Sequence, residues 1–278
     1  TRQNDLLTLP ESVGLTTDLR DVEQAEVVII SIGSQSLRAL LAEEPMQALR
    51  NKTVVLCMKG LEMGTGERLS VIAGELLHPS CTVAVWLGPG HVQEFYRGIP
   101  NCMVIDSENE QVKRRLVQAF SSDLIRFYYG GDMIGNEVGA AAKNVVGIAA
   151  GFLDGVEMSS LKGALMSRGT REVARLIRAM GGNELSAYGL CHLGDYEATV
   201  FSPYSHNRQF GESFIRHQDY HRLAEGYYTV EALMVLSERY QVELPICRAV
   251  HAILYENADP REQLTDLLRR GLRAEFDD

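Results

Sequence analysis

From residue 26 onward the chain alternates short apolar runs with longer segments in which apolar residues recur at helical spacing. The runs are rich in Val and Ile and have few polar positions, which is typical of strands that are covered on both faces of a sheet. Five strands are predicted: Val27–Ile32, Thr53–Met58, Thr82–Leu87, Cys102–Ile105 and Leu124–Tyr129. The segments Ser36–Arg50 and Glu67–Leu77 between them are predicted helices. This alternation predicts an α/β fold with a doubly wound, mostly parallel sheet.

After about Gly130 strand-like runs almost disappear and helical spacing dominates. Asp132 is placed to cap a long helix, and Gly181-Gly182 is placed to end a later one. The other predicted helices of this part are Leu161–Met180, Ser213–Leu223, Thr229–Tyr240 and Ile246–Tyr255. We therefore predict two domains, an α/β domain at residues 1–130 and an all-helical domain at residues 131–278.

The 278 residues are 45% hydrophobic and 23% charged, which is typical of globular proteins. The net charge of −10 argues against nucleic acid or an anionic membrane as a general partner, but it allows a small anionic ligand. No apolar run reaches the roughly 18 residues that span a bilayer, and we see no signal segment. The five cysteines lack Cys-x-x-Cys spacing, so we expect reduced thiols in a cytoplasmic protein. No metal site is predicted, because His217 and His221 lack a third ligand in a recognisable motif.

The most distinctive motif is Gly139-Ala-Ala-Ala-Lys143-Asn144-Val-Val-Gly147. On a helix, Gly139 and Gly147 lie on the same face as Lys143, so little side-chain bulk surrounds the ammonium group. Small apolar neighbours desolvate a lysine and lower its pKa towards the range that is useful for proton transfer. The alternative is a close helix–helix contact in which the lysine side chain extends to solvent.

Three further segments carry polar groups at places where ligands bind in α/β proteins. Lys59 and the run Gly88-Pro89-Gly90-His91 both follow predicted strands, and ligands bind beyond the carboxyl ends of strands in open α/β sheets. Asp195 precedes a loop at residues 202–211 that is rich in Ser, Asn, His and Arg and can hold a hydroxylated, phosphorylated ligand. Taken alone, each segment is also compatible with a solvated turn or an ordinary surface loop.

Several short motifs follow one another along the chain in a recognisable order. They are Lys59-Gly-Leu-Glu62, Gly98-Ile-Pro100, Ile134-Gly-Asn-Glu137, Lys143-Asn144, Ser167-Arg-Gly169, Gly194-Asp195, Asn207-Arg208 and Ala224-Glu225-Gly226. Together they resemble the NAD(P)-dependent glycerol-3-phosphate dehydrogenase family. The resemblance implies a Rossmann-like domain followed by an all-α domain, and reversible hydride transfer between NAD or NADP and C2 of sn-glycerol 3-phosphate. It also implies a homodimer.

The resemblance implies roles for individual residues. Lys143 would exchange a proton with the C2 oxygen, Asp195 would orient and tune that lysine, and Lys59 would stabilise negative charge on the carbonyl oxygen. The implied substrate contacts are Asn144, Thr199, Ser205, His206, Asn207, Gly88 and Gly90. The implied cofactor contacts are Ser34, Gln35, Lys59, Val92, His206, Leu223 and Glu225.

Three features depart from the family's pattern. The first strand and its Gly-x-Gly-x-x-Gly turn have no counterpart in the sequence, so we expect a nucleotide-binding domain that is incomplete at its N-terminus. Gly90-His91 stands where the family has Ser or Thr followed by Phe, and His206 stands where the family has an arginine. Two other functions therefore stay open: a non-catalytic relative that binds a phosphorylated metabolite or a partner protein, and a dehydrogenase of a related hydroxylated substrate.

Overall fold

The computed structural model of the protein describes residue 3 and residues 7–269. Within this part, one sheet has five strands in the order β1-β2-β3-β4-β5. The strands are β1 (Val27–Ile30), β2 (Thr53–Leu56), β3 (Thr82–Leu87), β4 (Asn101–Asp106) and β5 (Ile125–Tyr129). All five predicted strands are confirmed, and their ends differ from the prediction by at most two residues.

The helices of this α/β part lie on both faces of the sheet. They are α1 (Leu37–Leu41), α2 (Glu44–Gln47), α3 (Leu69–Leu76), α4 (Val92–Tyr96) and α5 (Glu110–Phe120). Leu37 in α1 and Ile72 in α3 pack on one face, and Leu116 in α5 packs on the other. The prediction of a single helix over Ser36–Arg50 is wrong, because the chain breaks after α1 and starts α2 with Pro45 in its first turn.

The sheet is mostly parallel, as predicted, and it contains one antiparallel pair. β1, β2 and β3 run parallel to one another, and β4 runs parallel to β5, whereas β3 and β4 are antiparallel. The link from β3 to β4 contains only α4, which is about 7.5 Å long at 1.5 Å per residue. A six-residue strand is about 20 Å long, so this helix is too short to return the chain to the start of a parallel strand.

The second part of the chain is helical. Its helices are α6 (Met133–Gly155), α7 (Lys162–Ala179), α8 (His206–Ile215), α9 (Glu225–Tyr240), α10 (Pro245–Tyr255) and α11 (Pro260–Arg269). α6 begins directly after Asp132, as predicted, but the Asp132 carboxylate accepts hydrogen bonds from Asn183 and Ser186 instead of from the helix. None of the helices in the described part of the chain has the length and apolar character of a membrane span.

The helix predicted at Ser213–Leu223 is wrong. The structure begins α8 earlier, because the Ser205 hydroxyl accepts a hydrogen bond from the Arg208 N–H and caps the first turn. The helix ends at Ile215, and His217 then has a φ of +54°, a left-handed conformation that stops a helix. Residues 216–224 therefore form a turn and a loop that lead to α9.

Helix α6 is the central helix of the second part, and nearly all of its residues are buried. A Cβ on Gly151 would overlap the carbonyl oxygen of Arg208 in α8, so this glycine lets the two helices pack closely. A Cβ on Gly147 would lie 2.8 Å from the Thr199 side chain. Close helix packing therefore occurs at Gly151, but the alternative in which the Lys143 side chain extends to solvent is wrong, since this side chain is only 9% exposed.

Candidate active site

The carboxyl ends of β1, β2 and β3 meet at one edge of the sheet, since the three strands are parallel. Ser34, Lys59 and Gly88 follow these three ends. Helix α6 reaches the same edge, where Asn144 Nδ2 donates to the carbonyl oxygen of Lys59 at 2.7 Å. The lysine helix therefore packs against the place where open α/β sheets bind ligands.

Two lysines share one carboxylate oxygen at this edge. Asp195 Oδ2 lies 2.8 Å from Lys59 Nζ and 2.9 Å from Lys143 Nζ. Lys59 Nζ also donates to the carbonyl oxygen of Gly88 at 2.5 Å. The three side chains come from three separate motifs, and Asp195 is almost fully buried beneath the two ammonium groups.

The charges in this cluster change one another's pKa values. Burial lowers the pKa of Lys143 to about 8, and the charge of Lys59 adds to this effect, while the Asp195 carboxylate opposes it. Burial would raise the pKa of Asp195, but the two ammonium groups outweigh burial and hold it below its usual value. Near neutral pH, Asp195 is therefore ionised, and Lys143 is close to the pH at which it can both give and take a proton.

Thr199 connects Lys143 to the backbone of Asp195. Lys143 Nζ donates to Thr199 Oγ1 at 2.8 Å, and the Thr199 hydroxyl donates to the carbonyl oxygen of Asp195 at 2.7 Å. An ammonium group has three N–H donors, and these contacts use two of those on Lys143. The remaining donor can point to a ligand oxygen.

Two asparagines link three helices of the second part, α6, α8 and α9, beside this cluster. Asn207 Nδ2 donates to Asn144 Oδ1 at 3.0 Å, and Asn207 Oδ1 accepts from the N–H of Gly226 at 2.9 Å. Ser205, two residues before Asn207, is buried and caps α8. The amide of Asn207 and the hydroxyl of Ser205 lie at the start of α8, and the bond to Asn144 places them beside the turn of α6 that carries Lys143.

The residues with implied cofactor contacts form two groups, one of hydrogen-bonded polar side chains and one of exposed apolar side chains. Ser34 uses its N–H and its hydroxyl to donate to the two carboxylate oxygens of Glu225, at 2.8 and 2.5 Å. Gln35 Nε2 donates to Ser34 Oγ at 3.0 Å and also to a backbone carbonyl oxygen after β2. Leu223 and Val92 carry exposed apolar surface, with 53% and 58% of each residue accessible to solvent. Ser34 thus contacts both Gln35 and Glu225 directly.

Gly88 and Gly90 adopt left-handed backbone conformations that favour glycine, with φ of +125° and +140°. A Cβ on Gly90 would lie 2.7 Å from the ring of Phe95. The backbone therefore requires glycine at the position where the sequence departs from Ser or Thr. The next residue, His91, contacts the carbonyl oxygen of Ala198 through Nε2 at 3.0 Å and so lies beside Thr199.

His206 and Arg208 have different surroundings at the start of α8. His206 is exposed, and its Nδ1 hydrogen-bonds to the Tyr220 hydroxyl at 2.8 Å. Partial burial lowers the pKa of His206, and the nearby charges of Arg222 and His91 lower it further. Arg208 forms ion pairs with carboxylates of the helical part, at 2.8 and 3.1 Å. Its guanidinium group is therefore engaged away from the ligand edge.

Sequence reasoning assigned no role to two buried groups, one beside this cluster and one earlier in α6. His192 and Tyr196 lie on either side of Asp195 in the chain, and both are completely buried. Glu137 in α6 caps α3 from outside, because its carboxylate accepts from the N–H and the hydroxyl of Ser70, at 2.9 and 2.5 Å, and from Arg68 at 2.8 Å. In the sequence, His192 could have been found by its position three residues before Asp195, a predicted site residue. The signal for Glu137 was its position seven residues before Asn144, on the same helix face.

Two sequence models of protein families match the chain. Residues 2–113 match the N-terminus of NAD-dependent glycerol-3-phosphate dehydrogenase, and residues 132–265 match the C-terminus of the same family. A glycerol-3-phosphate dehydrogenase (NAD(P)+) from Thermotoga sp. (strain RQ2) is 33% identical over 273 residues, covering 95% of this chain and 83% of the relative. One from Streptomyces griseus subsp. griseus is 35% identical over 279 residues, covering 97% of this chain and 83% of the relative.

Solved structures agree with the sequence comparisons. The crystal structure of glycerol-3-phosphate dehydrogenase from Coxiella burnetii superposes with a TM-score of 0.88 at 28% identity, over 95% of this chain and 83% of that one. DsGPDH of Dunaliella salina superposes with a TM-score of 0.83 over 95% of this chain and 50% of that one. At 16% identity, this second similarity establishes a common fold only.

Proposed function

The chain belongs to the NAD-dependent glycerol-3-phosphate dehydrogenase family, and we propose that Lys143, Asp195 and Lys59 carry out the family's reaction in it. That reaction is a hydride transfer with NAD or NADP. The proposed substrate is sn-glycerol 3-phosphate, whose C2 hydroxyl is oxidised to the ketone of dihydroxyacetone phosphate, and the reverse reaction reduces that ketone. The observation that carries the proposal is the single oxygen of Asp195 that both ammonium groups contact.

The residues after β1 fit a nicotinamide cofactor in the chemistry of their side chains. Leu223 lies close to Gly33 and offers exposed apolar surface to a planar ring. Glu225 offers a carboxylate acceptor for a carboxamide and for sugar hydroxyls, Ser34 holds Glu225 in place, and Gln35 supports Ser34. Val92 after β3 adds apolar surface. When bound, a nicotinamide cofactor would supply the hydride acceptor or donor for C2.

Lys143 is the proposed general acid and base. Its third N–H is left for the C2 oxygen of a substrate, because the other two donate to Asp195 and Thr199. In reduction the ammonium group gives this proton to the oxygen as C2 receives the hydride. In oxidation the neutral amine takes the proton from the C2 hydroxyl, so both directions use one atom, Nζ.

Asp195 and Lys59 set the electrostatics around this proton transfer. The carboxylate of Asp195 fixes the direction of both ammonium groups and stabilises the charged form of Lys143. The Lys59 ammonium group lies beside the carboxyl ends of the strands and stabilises negative charge that develops on the C2 oxygen. Its contact with the Gly88 carbonyl oxygen holds the ammonium group at this edge.

The polar groups around the cluster are proposed to hold the rest of the substrate. Donors from amides, hydroxyls and an imidazole suit a phosphate monoester and a terminal hydroxyl. The proposed substrate contacts are Asn144, Thr199, Ser205, His206, Asn207 and the backbone at Gly88 and Gly90. The buried lysine–carboxylate pair favours catalysis over mere binding of a metabolite, because a binder has no need of a titrating ammonium group.

The test is a dehydrogenase assay on the purified protein with dihydroxyacetone phosphate, run separately with NADH and NADPH. The expected result is oxidation of at least one of the two cofactors that depends on dihydroxyacetone phosphate. A second arm offers other phosphorylated and unphosphorylated ketones. A preference for another ketone would assign the chain to a related substrate, and calorimetric binding without turnover would make it a binding protein.

We also propose that the chain divides into domains at residues 130 and 131, and that it works as a homodimer in the cytoplasm. The five cysteines are free thiols in the structure, which supports a reducing compartment. The resemblance to the family supports the dimer. Analytical ultracentrifugation over a range of protein concentrations tests the dimer, and limited proteolysis tests the domain boundary.

A further inference from the structure

Asp195 is flanked by two buried aromatic side chains that hydrogen-bond to each other. His192 precedes Asp195 by three residues and Tyr196 follows it directly. The Tyr196 hydroxyl lies 2.7 Å from His192 Nε2, and the two rings meet edge to face with centroids 4.9 Å apart. We call this pair the His192–Tyr196 bracket.

The hydrogen-bond partners of His192 fix its tautomer. Its Nδ1 lies 2.8 Å from the carbonyl oxygen of Gly139, and a carbonyl oxygen can only accept, so Nδ1 carries the proton. Nε2 is then the acceptor for the hydroxyl of Tyr196. Burial lowers the pKa of His192 to about 4, so the ring is neutral at neutral pH, as this arrangement requires.

The bracket connects the Asp195 loop to the helical turn that carries Lys143. Gly139 lies one turn before Lys143 in α6, so its carbonyl oxygen also accepts the backbone N–H of Lys143. The close approach depends on glycine, because a Cβ on Gly139 would lie 3.0 Å from His192 Cβ. On the other side, the Tyr196 hydroxyl packs against Gly169 in α7, where a Cβ would lie 3.2 Å away.

We propose that His192 and Tyr196 are positioning residues that hold the carboxylate of Asp195 within hydrogen-bond distance of the Lys143 ammonium group. Asp195 ends a short turn, Leu193–Asp195, that joins the π-helical segment Glu197–Phe201; the backbone hydrogen bonds that lead into the turn go to residues 189 and 192. Such a turn does not by itself set the distance from a carboxylate to another helix. The bracket sets it by a direct bond to α6, and a small misplacement of reacting groups lowers turnover strongly.

The proposal predicts a specific electrostatic effect. The groups that face Lys143 Nζ are the carboxylate of Asp195, the ammonium of Lys59 and the hydroxyl of Thr199. Asp195 is the group among them that raises the pKa of Lys143. If the bracket is broken, the carboxylate moves and this attraction weakens, so the pKa of Lys143 falls.

The consequence for catalysis rests on the proposed function, so the experiment measures Lys143 directly. The chain is labelled with ¹³C-lysine, the Lys143 signal is assigned by its loss in Lys143→Met, and its pKa is read from a pH titration. Tyr196→Phe removes the hydroxyl and keeps the ring. The expected result is a fall in the Lys143 pKa of roughly 0.5 unit or more, and a loss of kcat on the order of tenfold with little change in KM.

Val173→Ala is the matched control, because Val173 is a buried core residue of α7 and forms no hydrogen bond through its side chain. It should lower stability and leave both the Lys143 pKa and the kcat of the folded protein unchanged. If Tyr196→Phe behaves like this control, the bracket only fills space and the proposal is overturned. If the pKa moves and turnover does not, the positioning role stands and the proposed catalytic role of Lys143 fails.

Wild-type protein gives a second measurement that does not depend on the folding of a variant. ¹⁵N NMR of the histidine rings distinguishes a proton on Nδ1 from one on Nε2. The proposal requires His192 to be neutral with its proton on Nδ1 at pH 7, and to remain so well below the pH at which exposed histidines become charged. A proton on Nε2, or a titration near pH 6.5, would overturn it.

Discussion

Lys59 and Lys143 come from different parts of the fold, and their ammonium groups meet at the same oxygen of one carboxylate. Lys59 follows a strand of the sheet and Lys143 lies in the central helix α6. Two positive charges this close repel each other, and the repulsion adds to burial in lowering the pKa of Lys143. If Lys143 is the acid and base, its pKa of about 8 should make the two directions of the reaction respond to pH in opposite ways.

The first prediction is therefore a pair of crossing pH profiles. kcat/KM reports on the free enzyme, in which the pKa of Lys143 is about 8. Reduction of dihydroxyacetone phosphate needs the ammonium form, so its kcat/KM should be high below pH 8 and fall as the pH rises through that value. Oxidation of glycerol 3-phosphate needs the amine, so its kcat/KM should rise through the same value. Two profiles that rise together would contradict the assignment of Lys143 as the acid and base.

The second prediction concerns removal of Lys143. Lys143→Met should lower turnover by about 10²–10⁴-fold through loss of general acid–base catalysis alone. Lys113→Met is the matched control, because Lys113 is also buried and paired with a carboxylate but lies in α5, far along the chain from the cluster. Lys113→Met should destabilise the fold and leave turnover per folded molecule unchanged. Steady-state assays and urea unfolding of both variants separate the two effects, and equal losses of turnover would refute the prediction.

The third prediction concerns the carboxylate between the lysines. Asp195→Asn keeps the shape of the side chain and removes the charge that raises the pKa of Lys143. Turnover should fall, and the midpoint of the reduction profile should move to a pH below that of the wild type. Affinity for dihydroxyacetone phosphate should change less than turnover. The check is a pH series of kcat/KM for the variant, and an unchanged midpoint would show that Asp195 does not tune the lysine.

The strands and most helices follow from local patterns, because burial on both faces of a sheet or on one face of a helix leaves a period in the sequence. Val27–Ile30 and Thr82–Leu87 show this directly. The antiparallel direction of β4 and the early start of α8 leave no such period in the sequence. The direction of β4 depends on the short connection between β3 and β4, and the start of α8 depends on the capping hydroxyl of Ser205.

The candidate site could be predicted only in part from the sequence, because its contacts depend on how distant segments pack together. Lys143, Asp195 and Lys59 each stood out in a motif, but nothing local says that they share one oxygen, since that contact depends on how α6 packs on the sheet. The same holds for His192, whose partner Gly139 lies far away in the sequence. The roles of these residues stay predictions.

The fourth prediction concerns Gly90, where the family has Ser or Thr. Gly90→Ser should restore the hydroxyl but cost stability of about 1–3 kcal/mol, because φ is +140° and the new Cβ would press on the Phe95 ring. Gly98→Ser is the matched control, since Gly98 also has positive φ but has open space around it. It should cost about 1 kcal/mol, the effect of the backbone alone. Urea unfolding of both variants measures the difference, and equal costs would mean that the ring yields.

The last prediction concerns His206, where the family has an arginine. An arginine offers phosphate a permanently charged fork, whereas His206 has only Nε2 left for a ligand, because Nδ1 is bonded to Tyr220. Its lowered pKa means that the ring of the free protein gains its charge only in a pH range below that of an unperturbed histidine. A phosphate dianion favours the charged ring, so the KM for dihydroxyacetone phosphate should be lowest at acid pH and rise as the pH increases through that range. His206→Arg should lower KM at neutral pH and flatten the rise.

The control is the titration of the phosphate itself, which occurs at pH ~6. It is the same for both proteins, so the difference between the two pH profiles of KM isolates the effect of the imidazole. Parallel profiles would mean that His206 does not contact the phosphate and that the amide of Asn207 and the hydroxyl of Ser205 hold it alone.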